Sequence, residues 1–578
     1  MKNQRFRDLP ATEVIPLHFV EDEKQLDDWL NSLLALDTTL AAEKILQAIS
    51  ALEQADLKTS LKIKLLHKIH QFFPKIVNTL QKSYIDSSLP LSDQATHNVE
   101  LVVWINMQLA RALRQCKLKY VTLGKEQQAG LLYLSLDSLS QALLHISLSY
   151  KVPMPGFWAM CYELYARAEQ ANLTDITITL NVRNNESITR LFKHMLIFQL
   201  CDTQQFRCRD ILMLFEYLSN ASATAHILAN YQPKWQAVVC MFNLNKDLPP
   251  QKINPTDAHD DLSERFITSV SVAKSMYDGL QKTTALAEQP FSNNAIRSIN
   301  HEALLRALNT LGLARKRKFT RVAEKTEFTG IVGLGSLIEY LQSKTDIGLI
   351  SPEPIKAQAD AKPLKSARKT QFDLIPIGEE VAHHMRDNAK QGQNEQLTKL
   401  FSFGTEKSVP TQNFQRSQAA ETPGKSVPLT CQFEMQDSSA KGYGLVVKLP
   451  TTQVKIGDII AVITHKTERI EVGIVRRINQ MPNQQLRLGV EVISFESELV
   501  FVSNPQQLTQ GFWGILLPGL KTLKQADSLV YNSSLFKQGD IIHIKGAQNQ
   551  VNYRLHKILQ ISAAATHMEL LKCTEVSS

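Results

Sequence analysis

Asp437-Ser438-Ser439-Ala440-Lys441-Gly442 stands between two runs of strand-forming residues, 430–435 and 443–448. In that setting an Asp-x-Ser-x-x-Gly hexapeptide reads as a short polar turn. Asp and Ser side chains bond the local backbone, and Gly admits a close backbone approach. From Val427 onward, alternating and β-branched runs are punctuated by Gly, Pro and Asn. Within this part, Lys455-Ile456-Gly457-Asp458-Ile459-Ile460 recurs as Lys537-Gln538-Gly539-Asp540-Ile541-Ile542. Residues 472–478 are echoed loosely by 551–558, and Leu488-Gly489-Val490-Glu491-Val492-Ile493 by His567-Met568-Glu569-Leu570-Leu571. A steady offset of roughly 80 residues marks an internal repeat. Two consecutive small β-barrel modules are expected, 426–504 and 505–578, because closure into barrels removes exposed strand edges.

Towards the N-terminus the character changes four times. In 343–425, Pro, Gln, Ala, Lys and Ser replace apolar periodicity, which reads as a linker or insertion with one short helix near 379–388. Residues 314–342 combine the basic run Arg315-Lys316-Arg317-Lys318-Phe319-Thr320-Arg321 with a candidate first barrel strand at 326–337. Gly330, Gly333 and Gly335 match neither Gly-x-Gly-x-x-Gly nor a phosphate-binding loop, so a strand running into a short helix is expected there. Residues 236–313 read as a mixed, mainly helical connector, with a strand at 235–244 and helices at 262–286 and 301–313. Residues 1–235 read as an α-helical domain. Leu26, Trp29, Leu30 and Leu33 recur at three-to-four spacing, as do Leu61, Leu65, Leu66, Ile69 and Phe72. An extended run at 174–184 precedes Asn185-Glu186-Ser187, a capped helix start. The expected fold class is multidomain α + β: an all-α bundle or solenoid, then two small C-terminal barrels.

Composition excludes several classes. Hydrophobic content of 43% and charged content of 21% are those of a globular protein. No run of about 18 apolar residues is present, so no membrane insertion is expected, and the charged N-terminus lacks an apolar signal core; a cytoplasmic location follows as the expectation. The seven cysteines are scattered with no Cys-x-x-Cys pair, which suggests neither a zinc site nor a disulfide framework. A net charge of +8 over 578 residues does not imply nucleic acid, and Trp29, Trp104, Trp158, Trp235 and Trp513 are too dispersed for a stacking platform. His67 and His70 lie three apart on an apolar helix, without the further ligands a metal requires. His383-His384 suggests no catalytic role, and no nucleophile, metal or acid–base set emerges, so no enzyme and no cofactor are expected.

The hexapeptide and the upstream Arg317-x-x-x-Arg321 spacing together resemble the paired signature of PilZ domains, small bacterial β-barrels that bind cyclic di-GMP. Asp437 follows Arg321 by 116 positions, longer than the usual interval, so 351–425 would be a looped-out insertion. The order of strands around Lys455-Ile456-Gly457-Asp458 and Leu488-Gly489-Val490 is similar to that of the family as well. What the resemblance implies is a ligand site. Arg317 and Arg321 would clamp phosphates and stack on or bond guanine, with Arg315 as an assisting cation. Asp437 and Ser439 would bond a guanine, and Gly442 would permit the tight approach. The second module lacks the hexapeptide. It offers Thr522-Leu523-Lys524-Gln525-Ala526-Asp527 opposite the turn, and is expected to be degenerate and non-binding.

The resulting expectation is a cyclic di-GMP effector that acts on a protein partner through its helical N-terminal region. The alternative is a ligand-free PilZ-like scaffold in a motility or secretion assembly. The distance between the two motif segments in the fold discriminates them.

Overall fold

The structure, a computed structural model, describes residues 22–116, 124–178, 186–231, 239–253, 259, 261–286, 294–312, 320–344, 430–447, 453–464, 469–481, 485–519, 526–533, 535–546, 550–561 and 565–573. It divides into two compact units. The first is mainly helical: α1 (Glu23–Leu33), α2 (Thr38–Gln54), α3 (Thr59–Leu80), α4 (Asp93–Gln115), α5 (Lys125–Leu148), α6 (Phe157–Gln170), α7 (Ile188–Leu200) and α8 (Cys208–Ala221). A small antiparallel sheet follows, β1 (His226–Leu228), β2 (Val239–Asn243), β3 (Gln251–Lys252) and β4 (Glu264–Thr268), in the order β1-β4-β2-β3. Then come α9 (Val270–Leu286) and α10 (Asn294–Gly312).

Local chemistry sets these boundaries. Asp22, Asp37, Ser92 and Ser187 each accept a backbone N–H from the first turn of the helix they precede, satisfying donors that have no partner inside the helix. Leu26, Leu30, Ile45, Ile49, Leu65, Ile69, Val102 and Leu109 bury one continuous core between α1 and α4. The segment 262–286, expected as one helix, is a strand and then a helix. Phe266 and Ile267 pair with β1 and β2, so sheet hydrogen bonds win over helical spacing for 264–268. α5 is one helix long and apolar enough to cross a bilayer, and it lies buried within the helical unit. Six of the seven cysteines are buried thiols and none is disulfide-bonded. His70 bonds Asp137 at 3.0 Å, and among the described residues no cluster of metal-ligating side chains is assembled.

The second unit contains two closed six-stranded barrels. The first is formed by β5 (Val322–Val332), β6 (Thr430–Ser439), β7 (Gly442–Val447), β8 (Ile459–Thr464), β9 (Arg469–Gln480) and β10 (Leu486–Ser494), with α11 (Leu334–Lys344) after β5. The strand expected at 326–337 thus runs from 322 to 332. Gly333, at φ +95°, turns the chain into the helix. The second barrel is formed by β11 (Glu498–Asn504), β12 (Gln507–Leu517), β13 (Ser528–Tyr531), β14 (Ile541–Lys545), β15 (Gln550–Ile561) and β16 (Thr566–Lys572). Residues 498–504, placed by sequence at the end of the first module, are the first strand of the second: they pair with β12 and β14. Most of the interval 343–425 lies outside the described residues, as do Arg315, Arg317 and residues 522–525.

Around the rings the strand orders are β10-β7-β6-β5-β8-β9 and β16-β13-β12-β11-β14-β15. Each strand of the second barrel is the counterpart of the one six earlier. The repeated Gly-Asp element shows how literal the match is. Lys455 N–H donates to Asp458 Oδ2 at 2.7 Å, and Lys537 N–H to Asp540 Oδ2 at 2.7 Å. Gly457 N–H reaches the Val475 carbonyl at 2.8 Å, and Gly539 N–H the Leu555 carbonyl at 2.7 Å. Val500, Val502, Leu529, Ile542, Leu555 and Met568 fill the second barrel. A separate apolar layer joins the barrels: Leu334, Leu337 and Leu341 of α11 with Ile459, Val472 and Ile474 pack against Leu499, Ile515, Leu517 and Val530.

Candidate functional site

The β6–β7 hairpin builds the site. Strand β6 runs through Ser439, and Ser439 pairs with Gly442, so the connection is only Ala440-Lys441. The hexapeptide expected as a turn is therefore two strand ends closed by a tight corner. The Ser439 hydroxyl donates to the Gly442 carbonyl at 3.2 Å and pins that corner. A side chain at position 442 would meet the Val490 carbonyl at 2.7 Å, so only glycine lets β10 lie this close.

Two residues before Ser439 the register of β6 slips between Met435 and Asp437, against both β5 and β7. Such a bulge re-aims the side chain that follows it. Met435 points into the barrel, while Asp437 is brought to the outer face above Gly444. There its Oδ1 accepts from Arg321 Nη1 at 2.5 Å, and its Oδ2 lies 3.6 Å from Arg487 Nη2. Arg321 immediately precedes β5, whose Val322 pairs with Ser438; that pairing delivers a residue 116 positions away to the carboxylate. The Arg321 and Arg487 side chains are 41% and 53% exposed, so the donors stand at the surface and can change partner.

The floor beside Asp437 is a row of cross-strand partners: Ala323, Asp437, Gly444, Gly489 and Arg477, contributed by β5, β6, β7, β10 and β9 in turn. Partners directly opposite share a face of the sheet. Two adjacent places in this row are glycine: the Asp437 carboxylate lies over Gly444, and Gly489 stands beside Arg477.

Of the residues singled out in the sequence, Arg321, Asp437, Ser439 and Gly442 converge; Arg315 and Arg317 lie outside the described residues. Sequence reasoning missed Arg487, Gly444 and Gly489 as part of the surface. The available signal was two glycines inside strand patterns, where glycine commonly marks a close approach of backbone or ligand.

Two comparisons with families of known proteins give matches. Residues 24–233 match the family described as cyclic-di-GMP receptor FimW, N-terminal domain, and residues 239–498 match its middle PilZ domain. The chain belongs to this PilZ-domain family. No curated protein and no solved structure matches the chain. The PilZ match ends at 498, where the second barrel's first strand begins.

Outside that match, the second barrel carries the same row with other residues. Strand pairing puts Leu517 where the PilZ barrel has Asp437, Ser528 for Gly444, Glu569 for Gly489 and Lys557 for Arg477. The counterpart of Asp437 is thus Leu517, not a residue of 522–527 as expected from sequence, because β12 and β13 are joined by the longer interval 518–527. His567 takes the place of Arg487 and bonds the Ser528 hydroxyl at 2.9 Å. Burial pushes its imidazole down to about 4. The nearby Arg476 guanidinium acts in the same direction, and Glu491 opposes it.

Proposed function

We propose that the first barrel binds cyclic di-GMP and that the chain acts as an effector, passing the ligand's presence to a protein partner through its helical region. The observation that supports this most is the meeting of Arg321 with Asp437 at 2.5 Å on the outer face of a PilZ barrel. A half-exposed ion pair of this kind contributes only about 0–1 kcal/mol to folding. Its value is greater as pre-set recognition chemistry. An aspartate accepts from the N1–H and N2–H₂ edge of guanine, whereas arginine forks onto phosphate oxygens or lies on the base. Ser439 and Gly442 hold the corner on which Asp437 depends. Arg315 and Arg317 belong to the same proposal as further cations on the segment that leads into β5.

That segment also supports the effector reading. Residues 315–321 connect α10 of the helical unit to β5 of the barrel, so a ligand that fixes the arginines restricts the chain between the units. Population shift requires only that the ligand prefer one arrangement.

The test is titration calorimetry of the full chain with cyclic di-GMP. Saturable binding in the micromolar range or tighter is expected, and Arg321→Ala should weaken it at least tenfold, by about 1.4 kcal/mol or more. No heat up to about 100 µM ligand, or unchanged affinity in Arg321→Ala, defeats the proposal.

A further inference from the structure

Gly444 and Gly489 face each other across β7 and β10 in the interior of a sheet. Glycine weakens a strand interior relative to a residue with a side chain, so a matched pair requires a reason. Part of the reason at 444 is local: a Cβ would meet Asp437 Oδ1 at 2.7 Å. At 489 the nearest obstacle is the Arg477 Cβ at 3.1 Å, which is tight but not backbone. Barrel closure supplies no reason at either place. The second barrel has the same ring order and bears Ser528 and Glu569 at these two positions. What differs is the use of the surface, since the Asp437 counterpart Leu517 is packed into the layer between the barrels.

Charge points the same way. Arg321 and Arg487 flank one carboxylate, so the three side chains together carry a net positive charge. Arg487 lies on β10 two residues before Gly489, on the same face of the strand. Its guanidinium is half exposed and sits 3.6 Å from Asp437 Oδ2, beyond a short hydrogen bond. It is positioned to fork onto an anion without surrendering a tight existing pair.

We propose that Arg487 takes a phosphate of the ligand, as a ligand-contacting residue of the site, and that Gly489 keeps the strand beside it open to that ligand. This rests on the cyclic di-GMP reading and goes beyond it, because neither Arg487 nor the glycine pair belongs to the two sequence motifs. A side chain at 489 would stand on the face of β10 from which Arg487 reaches the anion. Asp437 meets the polar edge of the ligand's base, and Arg487 at the adjacent row meets the anion.

Calorimetry with cyclic di-GMP on the full chain tests it, with circular dichroism and melting to verify folding. Arg487→Ala, at an exposed position, should fold normally and bind at least about tenfold more weakly. Arg487→Lys keeps the charge without the fork and should fall between. Gly489→Glu, which installs the second barrel's residue, should also weaken binding at least about tenfold. Wild-type affinity in Arg487→Ala, or in a folded Gly489→Glu, overturns the inference while leaving the proposed function standing. Absence of binding by the unaltered chain overturns both.

Discussion

Where the first barrel carries Asp437, the second carries Leu517, only 1% exposed and packed against the first barrel. The strand ring is the same, the Gly-Asp corner is the same, and both barrels slip register at the same place between their last two strands. One outer face has nevertheless taken two courses. In the first barrel it combines an acid, arginines and bare glycine; in the second, Ile515, Leu517 and Val530 turn it into an interface. A repeated fold therefore fixes where a face lies and leaves its chemistry open. The second barrel is a copy whose corresponding face is apolar and packed.

The most severe way to break this comparison is to give the second barrel the first barrel's acid. Leu517→Asp buries a carboxylate without a partner in an apolar layer. About 4 kcal/mol of local stability should be lost, visible as roughly thousandfold faster amide exchange in β12 and β13. A loss under about 1 kcal/mol would mean that the apolar layer does not hold the barrels together. The reciprocal change, Asp437→Leu, should cost little stability because the ion pairs it removes are partly exposed. It should weaken cyclic di-GMP binding about hundredfold, near 2.7 kcal/mol, in calorimetry. If instead it destabilises the barrel as severely as Leu517→Asp, Asp437 is a structural residue and the contrast fails.

His567 sharpens the contrast by pH. Its folded pKa, about 4, lies below the ordinary histidine value of 6.5, so the unfolded chain takes up a proton that the fold refuses. Its contribution is fully present above pH 6.5 and is lost as pH falls towards 4. By pH 5 the loss should be about 2 kcal/mol. Arg476, Glu491 and Ser528 face the ring. Removing the ring in His567→Asn should flatten this part of the pH profile, read from amide exchange in β16. An unchanged slope would show that His567 is not the group responsible.

How much of this was readable from the chain depends on the range of the contacts. The 455–460 and 537–542 copies were legible because a glycine at positive φ and an aspartate returning to the backbone three residues back are local demands. The hexapeptide was legible for the same reason. The strand 498–504 was assigned to the wrong module because its allegiance is decided by partners at 507–517 and 541–545, and periodicity is blind to partners. The β strand at 264–268 was lost inside a helical reading because its two neighbours lie up to 42 positions upstream, where His226 opposes Thr268. Arg487 was invisible: it stands 50 positions after Asp437, just outside the repeated stretch 488–493, and only the pairing of β10 with β7 brings the two together.

The smallest predicted effect tests whether the two barrels really share a corner. Gly457 and Gly539 sit at φ +90° and +96°, where an L side chain is strained whatever the space around it. At Gly539 an added Cβ would meet nothing within 4 Å, so alanine there pays for backbone conformation alone. Gly539→Ala should cost about 1 kcal/mol, seen in the exchange of β14 and β15. Gly457→Ala should cost the same to within about 0.5 kcal/mol in β8 and β9, because its amide and its aspartate make the matching bonds. A much larger cost at 457 alone would show that the first corner carries a constraint the second lacks. Since Gly457 is buried whereas Gly539 is exposed, the excess would then come from the packing around the first corner.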